Sequence, residues 1–349
     1  MITFINKKTA ILSLVFLGLQ FSSFVKAQEN CTSILEEAEE LFDQGIIEDI
    51  PDILDDCLKN GFSPQEKIRA QKLIILSYLF DNRVNDAERV MLNFLRKNPE
   101  YKVKPTDAAE FAALLSNFRT IPVISAGVFI GGNLSFPGMI GQYGPYNTNT
   151  ETGAYLSLPA DFQLGAGLNI FLSNSLELNL EGIFIRNSFT WSNLQYGFAQ
   201  INKIETHQRF EFPLSLSIDL GGKRIRPYLR LGGSYGILMS AVNNYKREFV
   251  NTGSAYFSPL QAYNIDITNR RKDYSISVTG GGGIKYKIPR GHFYLDIRYF
   301  YSMTDLVIPD NRWEDELIFT YYTADNDFML DYLAFSAGLR YSFYKPKKL

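Results

Sequence analysis

The residues of this 349-residue chain that could carry out catalysis are few and scattered. The only two histidines are His207 and His292. A histidine that activates a nucleophile needs a serine or cysteine within reach and an acid behind it. Glu205 is the only acid near His207, no serine lies two residues on, and His292 falls in a predicted turn. We therefore predict no catalytic site and expect that the protein is not an enzyme.

Ligand-binding motifs are equally sparse. The sequence contains neither a P-loop nor a G-x-G-x-x-G fingerprint, and two cysteines exclude a four-cysteine zinc site. Asp305, Asp310 and the acids at 314–316 offer the oxygen ligands that Ca²⁺ prefers, but their spacing matches no fixed calcium loop. We favour the alternative, a solvated acidic surface, and expect no cofactor. A net charge of −2 also argues against a nucleic-acid partner.

The first residues have the pattern of a secretory signal peptide. Lys7 and Lys8 precede an apolar run at residues 10–19, and Ala27 ends a stretch of small and mixed residues. Residues 1–27 are therefore predicted to be removed on export. The alternative is an uncleaved membrane anchor, but this run is too short to cross about 30 Å of hydrocarbon.

Residues 28–119 contain few glycines and show the apolar spacing of amphipathic helices. Five helices are predicted. They lie near 34–42, 47–59, 64–79, 85–97 and 106–118. Ser63-Pro64 precedes the third helix, and Asp107-x-x-Glu110 resembles a capping signal for the fifth.

One part of this segment resembles a known repeat. Residues 68–101 resemble a tetratricopeptide repeat, a 34-residue helix pair, because Ile74, Tyr78, Ala87 and Pro99 stand at its consensus spacing. The alternative is an ordinary helical bundle. Under either interpretation the segment offers a small adaptor surface and not a catalytic cavity.

Both cysteines lie in the helical segment. Cys31 opens the first predicted helix and Cys57 closes the second, so their thiols meet if these helices form an antiparallel hairpin. An exported protein folds in an oxidising compartment. We therefore predict a Cys31–Cys57 disulfide, which stabilises by about 3 kcal/mol on the chain-entropy estimate. A reactive free thiol is the alternative.

Charge is segregated within the helical segment. Residues 28–60 contain eleven acidic residues and one basic residue, whereas residues 64–104 contain nine basic and five acidic residues. The simpler interpretation is a solvated acidic face, or two hairpins that attract each other. The sharper one is a docking face for a periplasmic protein partner, bound through residues 31–119.

The period of the pattern changes from 3.6 to 2 after Ile121-Pro122. Eight strands are predicted, each long enough to cross a membrane when tilted. They lie at 123–134, 161–172, 175–187, 208–219, 227–239, 274–288, 292–302 and 332–344. Short turns join three pairs of strands, and long connections are predicted near 135–160, 188–207, 240–273 and 303–331. This rhythm is typical of outer-membrane barrels and argues against a soluble sandwich.

Alternation along these strands assigns a charged set to the inward face. The set is Glu177, Glu181, Arg209, Glu211, Asp219, Arg230, Lys285, Asp296, Arg298 and Arg340. Eight strands leave an interior that side chains just fill. We interpret the set as an ion-pair network that plugs a small barrel, with a proton or solute path as the alternative. The glycines at 280–283 should leave room for large neighbours, and Pro213 predicts a bulge or a misplaced strand boundary.

The last predicted strand carries the motif Ser336-x-Gly338-x-x-Tyr341-x-Phe343. The motif resembles the β-signal that the outer-membrane insertion machinery reads, although the tail 345–349 continues past the aromatic residue where such chains usually stop. Residues 122–344 therefore resemble the OmpX/PorT-like eight-stranded outer-membrane barrel family of Gram-negative bacteria. This resemblance implies contact with outer-membrane lipid, recognition by the insertion machinery, and structural, adhesive or secretion-accessory roles.

Together these patterns predict an α+β, multidomain chain. A signal peptide at 1–27 precedes all-α, tetratricopeptide-like helical hairpins at 28–119 and an eight-stranded antiparallel transmembrane β-barrel at 120–349. An even number of strands places both barrel ends on the short-turn side, and so the helical segment in the periplasm. Aromatic girdles are predicted from Tyr228, Phe293, Phe343 and Tyr344 on the periplasmic side and from Trp191, Tyr196 and Trp313 on the outer side.

The leading functional hypothesis is a non-catalytic outer-membrane protein. Its barrel would anchor a periplasmic adaptor that binds a partner in envelope assembly or secretion. The alternatives are a small-solute transport or pore protein and a surface adhesin that uses the long extracellular loops.

Overall fold

The computed structural model describes residues 30–143, 154–157, 161–195, 197–250, 259–313, 319–321 and 323–349. The predicted signal peptide, residues 1–27, lies outside these ranges. The described chain divides into two compact units. The helical unit contains the described residues up to Ile121 together with Tyr344–Leu349, and the strand unit is Pro122–Phe343.

The helical unit contains the five predicted helices. They are α1 (residues 30–43), α2 (Ile50–Asn60), α3 (Pro64–Phe80), α4 (Val84–Lys97) and α5 (Ala109–Ser116). Pro51 lies in the first turn of α2, and Gly61 ends that helix. Ser63 caps α3 in a capping box with Glu66, so two backbone N–H groups at this helix start are satisfied. No described helix is long and apolar enough to cross a membrane.

The capping role predicted for Asp107 is wrong. Helix α5 begins one residue later than that role requires, after Ala108, and no side chain caps it. Asp107 instead accepts hydrogen bonds from the Lys104 backbone N–H at 2.8 Å, from the Tyr101 hydroxyl at 2.7 Å and from the Lys72 ammonium. It therefore fastens the segment between α4 and α5 onto α3.

Helix α3 is the centre of the helical unit. Ile74 packs with Leu35 and Leu54 of α1 and α2 in one buried cluster, while its neighbour Ile75 packs with Phe94 of α4 in a second. Because α3 is buried on two sides, its apolar residues are not confined to one face, as they are in a surface helix. The predicted Cys31–Cys57 disulfide is confirmed, with a Cα–Cα distance of 5.6 Å, and it joins α1 to α2 beside the first cluster.

A two-stranded sheet joins the end of the helical segment to the last residues of the sequence, within the helical unit. Strand β1 (Phe118–Arg119) pairs antiparallel with β12 (Lys347–Lys348). The Lys348 ammonium contacts both carboxylate oxygens of Glu88 at 2.6 and 2.7 Å, and the Tyr344 hydroxyl donates to Glu100 at 2.6 Å. The C-terminal tail is therefore part of the helical unit.

The strand unit is one large antiparallel sheet, as predicted. Its strands are β2 (Pro122–Gly141), β3 (Ala154–Ser157), β4 (Asp161–Phe171), β5 (Leu176–Gln195), β6 (Ala199–Asp219), β7 (Ile225–Phe249), β8 (Leu260–Asp266), β9 (Tyr274–Ile288), β10 (Gly291–Ser302) and β11 (Asp327–Tyr344). Along the sheet the pairing order is β4–β2–β11–β10–β9–β7–β6, and β5 pairs with both β4 and β6. The short strands β3 and β8 pair with β5 and β7, respectively.

Several of the predicted long connections are wrong because the strands continue through them. Most of the range 188–207 belongs to β5 and β6, and β7 and β11 also extend well into the predicted loops. In the extension of β5 the buried face carries Phe189 and Trp191, and the other face carries Ser188, Thr190 and Ser192. Apolar residues thus move to the buried face there, so the outward apolar pattern that predicted the strands stops before the strands do.

Pro213 does not cause a bulge. The register of β6 against β7 shifts between Gln208 and Arg209, and Pro213 stands directly opposite Ser234. Toward β5 the ladder keeps one register on both sides of Pro213 and lacks pairs only at Glu181 and its neighbour Gly182. The missing N–H therefore leaves a gap in the ladder and not an extra residue.

Candidate functional site: charged side chains on the buried face of the sheet

Alternation gives the sheet one buried and one exposed face. On β10, Phe293, Leu295 and Ile297 are exposed, whereas Asp296 and Arg298 between them are almost fully buried. An apolar outer face with a charged inner face is the reverse of a soluble domain and matches a sheet surrounded by lipid. Of the ten charged residues predicted to point inward, Asp219 is half-buried and the other nine are buried. The nine are Glu177, Glu181, Arg209, Glu211, Arg230, Lys285, Asp296, Arg298 and Arg340.

The first group of these charges centres on Glu181. Its two carboxylate oxygens accept one hydrogen bond each, from Arg230 at 2.7 Å and from Arg298. Arg298 also contacts Asp296 at 2.6 Å, and the Tyr228 hydroxyl donates to Asp296. Each charge in the group has an opposite charge beside it, as buried ions require.

A second group lies toward the short turns. The Lys285 ammonium donates to Glu177 and to Asp219, at 2.7 Å in each case, and Arg340 lies 3.5 Å from Glu177. These residues come from β5, β6, β9 and β11, so the group bridges strands that are not neighbours in the sheet. Such bridges reach across the buried face of the sheet.

Glycines leave the room that these large side chains occupy, as the sequence predicted. A Cβ on Gly281 would stand 3.0 Å from Cγ of Arg298, and one on Gly283 would stand 2.8 Å from the Tyr228 hydroxyl. Gly281 and Gly283 both lie on the buried face of β9, in register with Arg298 and Asp296 of β10.

Tyr228 corrects the girdle prediction. It is buried inside the first group and not exposed at a membrane interface. Trp191, assigned to the outer girdle, is also buried. Phe293 and Phe343 are exposed on the outer face, and Trp313 is exposed on the segment between β10 and β11. Tyr196 lies outside the described residues.

Arg209 and Glu211 stand farther from the short turns. Glu211 accepts a hydrogen bond from Ser234 at 2.6 Å, and Arg209 contacts Ser275 at 3.4 Å and His207 at 2.9 Å. A guanidinium can only donate, so Nδ1 of His207 accepts the hydrogen bond from Arg209. The ring proton is then on Nε2, which donates to Glu205 at 2.6 Å. With both ring nitrogens bonded and no exposed surface, His207 has no room for a substrate.

A third charged group was missed from the sequence. Arg271 donates two hydrogen bonds to Glu205, at 2.6 and 2.9 Å, and two to Asp325, at 3.0 and 3.2 Å. Lys203 completes the group with a 3.1 Å contact to Asp325. All four side chains are buried, and the Arg271 guanidinium also lies 5.5 Å from the centre of the Phe328 ring.

One signal could have found part of this group. Lys203, Glu205 and His207 continue the alternate-residue pattern of β6 toward its first residue, inside a range assigned to a loop. Arg271 and Asp325 lie outside the named strands, where no periodicity marks them.

The β-signal residues all lie on β11. Ser336 is buried and accepts a hydrogen bond from Gln163 at 2.9 Å. Gly338 is on the same face, whereas Tyr341 and Phe343 are exposed, with ring centres 5.2 Å apart. Recognition of this motif by the insertion machinery stays a prediction.

Metal ligands do not cluster in the described part of the chain, where no group of three or more His, Cys, Asp or Glu residues could hold a metal ion. The acids at 314–316 lie outside the described residues. What the buried face offers chemically is therefore a set of fixed ion pairs.

Asp107 is a half-buried residue of the helical unit that accepts three hydrogen bonds. Burial disfavours the charged form of Asp107, but the hydrogen bonds from Lys104, Lys72 and Tyr101 outweigh it and lower the pKa of the carboxyl. Burial and the hydrogen bond to Asp107 raise the pKa of the Tyr101 phenol. These shifts favour an ionised Asp107 bound by a neutral Tyr101.

Comparison with known families identifies the class of protein. The model of the outer membrane protein β-barrel domain matches residues 119–307, more than half of the chain. The chain belongs to this outer-membrane β-barrel family. Membership implies the outer membrane of a Gram-negative bacterium and contact of the sheet with lipid.

Solved structures of similar fold include three outer-membrane proteins. Neisserial surface protein A (NspA) is 13% identical, with 63% of this chain and 97% of that chain covered and a TM-score of 0.30. OprG from Pseudomonas aeruginosa is 13% identical, with coverages of 64% and 98% and a TM-score of 0.33. The outer membrane protease OmpT from Escherichia coli is 10% identical, with coverages of 63% and 97% and a TM-score of 0.35. A search of curated proteins finds no match.

Proposed function

We propose that this protein is a non-catalytic outer-membrane anchor. Eight strands close into a barrel that does not conduct, and the barrel holds the helical unit in the periplasm. There the helical unit binds a protein partner in envelope assembly or secretion.

The strand pairings support closure. Strands β2, β4, β5, β6, β7, β9, β10 and β11 each pair with two others of the same set. The pairing of β5 with β6 joins the two ends of the series that runs from β4 to β6 through β2 and β11. A closed sheet has no unpaired edge, which a sheet in lipid requires.

The filled interior is the observation that carries the proposal. The three charged groups described above lie at successive heights, around Glu177, Glu181 and Glu205. Arg298 and Lys285 are among the largest fully buried side chains of the protein. A lumen crossed at three levels by ion pairs leaves no path for a hydrated solute, as expected for eight strands.

Three features support an adaptor in the periplasm. Both ends of the barrel lie at the rim with the short turns, which face the periplasm in outer-membrane barrels. The Cys31–Cys57 disulfide suits an oxidising compartment. The β1–β12 pairing attaches the helical unit to both ends of the barrel chain.

Conductance in planar bilayers tests the first part of the proposal. We expect a closed trace from the full-length protein at voltages at which a porin conducts. Heat-dependent mobility on a gel shows in parallel that the inserted protein is folded. A steady conductance from folded protein would contradict the anchor and favour solute transport.

Capture of partners from cells tests the second part. We expect cross-linked partners of the full-length protein to be lost when residues 31–119 are removed, while heat-dependent mobility is kept. Unchanged partners after this deletion would contradict the adaptor role.

A pair of charge variants locates the docking face. The first is a triple variant that removes three exposed acids from α1 and α2: Glu36→Gln, Glu40→Gln and Asp52→Asn. If the acidic face binds the partner, this variant weakens capture. The matched control removes three exposed bases of the same unit, at positions Arg89, Arg96 and Lys102. Equal loss in both variants would contradict a role for the acidic face.

A further inference from the structure

The turn between β6 and β7 presents basic side chains at the short-turn rim of the sheet. Its sequence is Leu220-Gly221-Gly222-Lys223-Arg224-Ile225-Arg226. Gly221 and Gly222 have φ angles of 97° and 115°, which favour glycine, and a Cβ on Gly222 would stand 2.0 Å from the Ile225 carbonyl oxygen. The two glycines therefore fix the backbone of a tight turn, and the side chains of Lys223 and Arg224 are exposed on it.

The two exposed charges of this turn have no counter-charge among the described residues, where no carboxylate forms an ion pair with Lys223 or Arg224. Asp219, the acid nearest in sequence, is engaged by Lys285 at 2.7 Å. Arg226 does not belong with them, because it stands in register with the buried Lys285 and its own Nε is buried.

Neighbouring residues place this turn beside the lipid-facing surface. Leu220 and Ile225 are each 58% exposed, and Ile225 stands in register with Tyr286 of β9 on the same outer face. The Arg224 guanidinium lies 5.1 Å from the centre of the Tyr286 ring. Exposed apolar residues, an aromatic ring and a cation in this order are typical of the level at which lipid headgroups lie.

The adjacent strand β9 holds the backbone of Arg224. The Lys287 backbone N–H donates to the Arg224 carbonyl oxygen at 2.9 Å. The backbone under the guanidinium is thus tied to β9, so its ordering costs little when a ligand binds.

We propose that Lys223 and Arg224 form a binding site for the phosphate of an anionic glycerophospholipid in the leaflet at the short-turn rim. One guanidinium group can bind two phosphate oxygens at once, and the Lys223 ammonium adds a second positive charge. The acyl chains of the same lipid would lie along Leu220 and Ile225. The site requires only that the sheet is in a membrane, and it is independent of the adaptor role of the helical unit.

Lipid retention by the full-length protein tests this site. The protein is reconstituted in nanodiscs of phosphatidylcholine mixed with phosphatidylglycerol, released from them, and weighed by native mass spectrometry. We expect retained lipid to be enriched in phosphatidylglycerol. The double variant Lys223→Gln with Arg224→Gln should lower this enrichment at least about fivefold, since it removes both exposed cations that attract an anionic headgroup at this turn.

A matched variant separates this site from general electrostatic attraction. Lys246→Gln with Lys272→Gln also removes two positive charges, from the long-connection end of the same sheet. Enrichment should survive in this control, and both variants should keep heat-dependent mobility. No enrichment in the unaltered protein, or equal loss in the two variants, would overturn the proposal.

Inorganic phosphate distinguishes a lipid site from a site for free anions. A lipid held by both headgroup and acyl chains should stay bound when phosphate is added in excess over the lipid at constant ionic strength. Displacement of phosphatidylglycerol under this condition would overturn the lipid assignment.

Discussion

Gly338 leaves the space that the ring of Tyr294 on the adjacent strand occupies. A Cβ on residue 338 would stand 2.7 Å from the Cε1, Cζ and Oη atoms of that ring. The two residues face each other in register on β11 and β10, and the Arg340 guanidinium lies 4.3 Å from the ring centre. The glycine of the predicted β-signal therefore also has a packing role inside the folded sheet.

The first prediction concerns this contact. Gly338→Ala should destabilise the sheet by about 1–3 kcal/mol, because an added methyl group would force the Tyr294 ring to move. The temperature at which the folded gel band is lost measures the effect. Gly280→Ala is the control, since a Cβ there meets only Cδ1 of Leu231 at 3.6 Å. Equal behaviour of the two variants would contradict the packing role.

The second prediction concerns the third charged group. Arg271→Gln should destabilise the protein by about 3–5 kcal/mol, because Glu205 and Asp325 would be left buried with Lys203 as the one remaining cation within 4 Å among the described residues. Urea titration of the gel shift measures the loss. The exposed pair of Lys246 and Glu248 provides the control, and Lys246→Gln should cost less than about 1 kcal/mol. A small effect at Arg271 would mean that water reaches this group.

The third prediction concerns the disulfide. Gly61 lies against it, and a Cβ on residue 61 would stand 2.1 Å from Sγ of Cys31. Gly61→Ala should therefore leave free thiols that alkylation detects and should remove up to about 3 kcal/mol of stabilisation. Asn60→Ala, at the exposed last residue of α2, should keep the bridge. Full oxidation of the Gly61 variant would contradict this placement.

The fourth prediction concerns pH. The folded-state pKa of Asp107 is lowered, so its stabilising contribution is complete above its ordinary value of 3.8. The contribution is lost as the pH falls from that value through the lower folded-state pKa. Proteolysis of the helical unit should therefore become faster below about pH 4.

Asp107→Asn isolates this effect. The variant should be less stable than the unaltered protein at neutral pH, and the difference should shrink as the pH falls. A difference that stays constant with pH would show that the charge of Asp107 does not hold this segment.

The sequence predicted the strands where lipid imposes a pattern. On β10 and β11 apolar side chains must alternate with polar ones. The predicted and observed ends of both strands therefore agree closely, except that β11 begins earlier than predicted. Beyond the lipid this constraint ends, and the extensions of β5, β6 and β7 were assigned to loops.

The buried charges were predictable to the same extent. Residues such as Glu181 and Arg298 stand inside clear alternation. Arg271 joins Glu205 and Asp325 across a large sequence separation, from a segment with no repeating pattern. Partners of this kind are fixed only by the folded chain, and so no local spacing reveals them.

The β1–β12 pairing has a consequence for the order of folding. Phe118 and Arg119 pair with Lys347 and Lys348, which stand on the other side of the whole strand unit in the sequence. The helices can form from segments that are close in the sequence, but this small sheet must wait until the strand unit between its two halves has been made. A truncation that removes Lys347 and Lys348 would therefore damage the unit that precedes the sheet in the sequence.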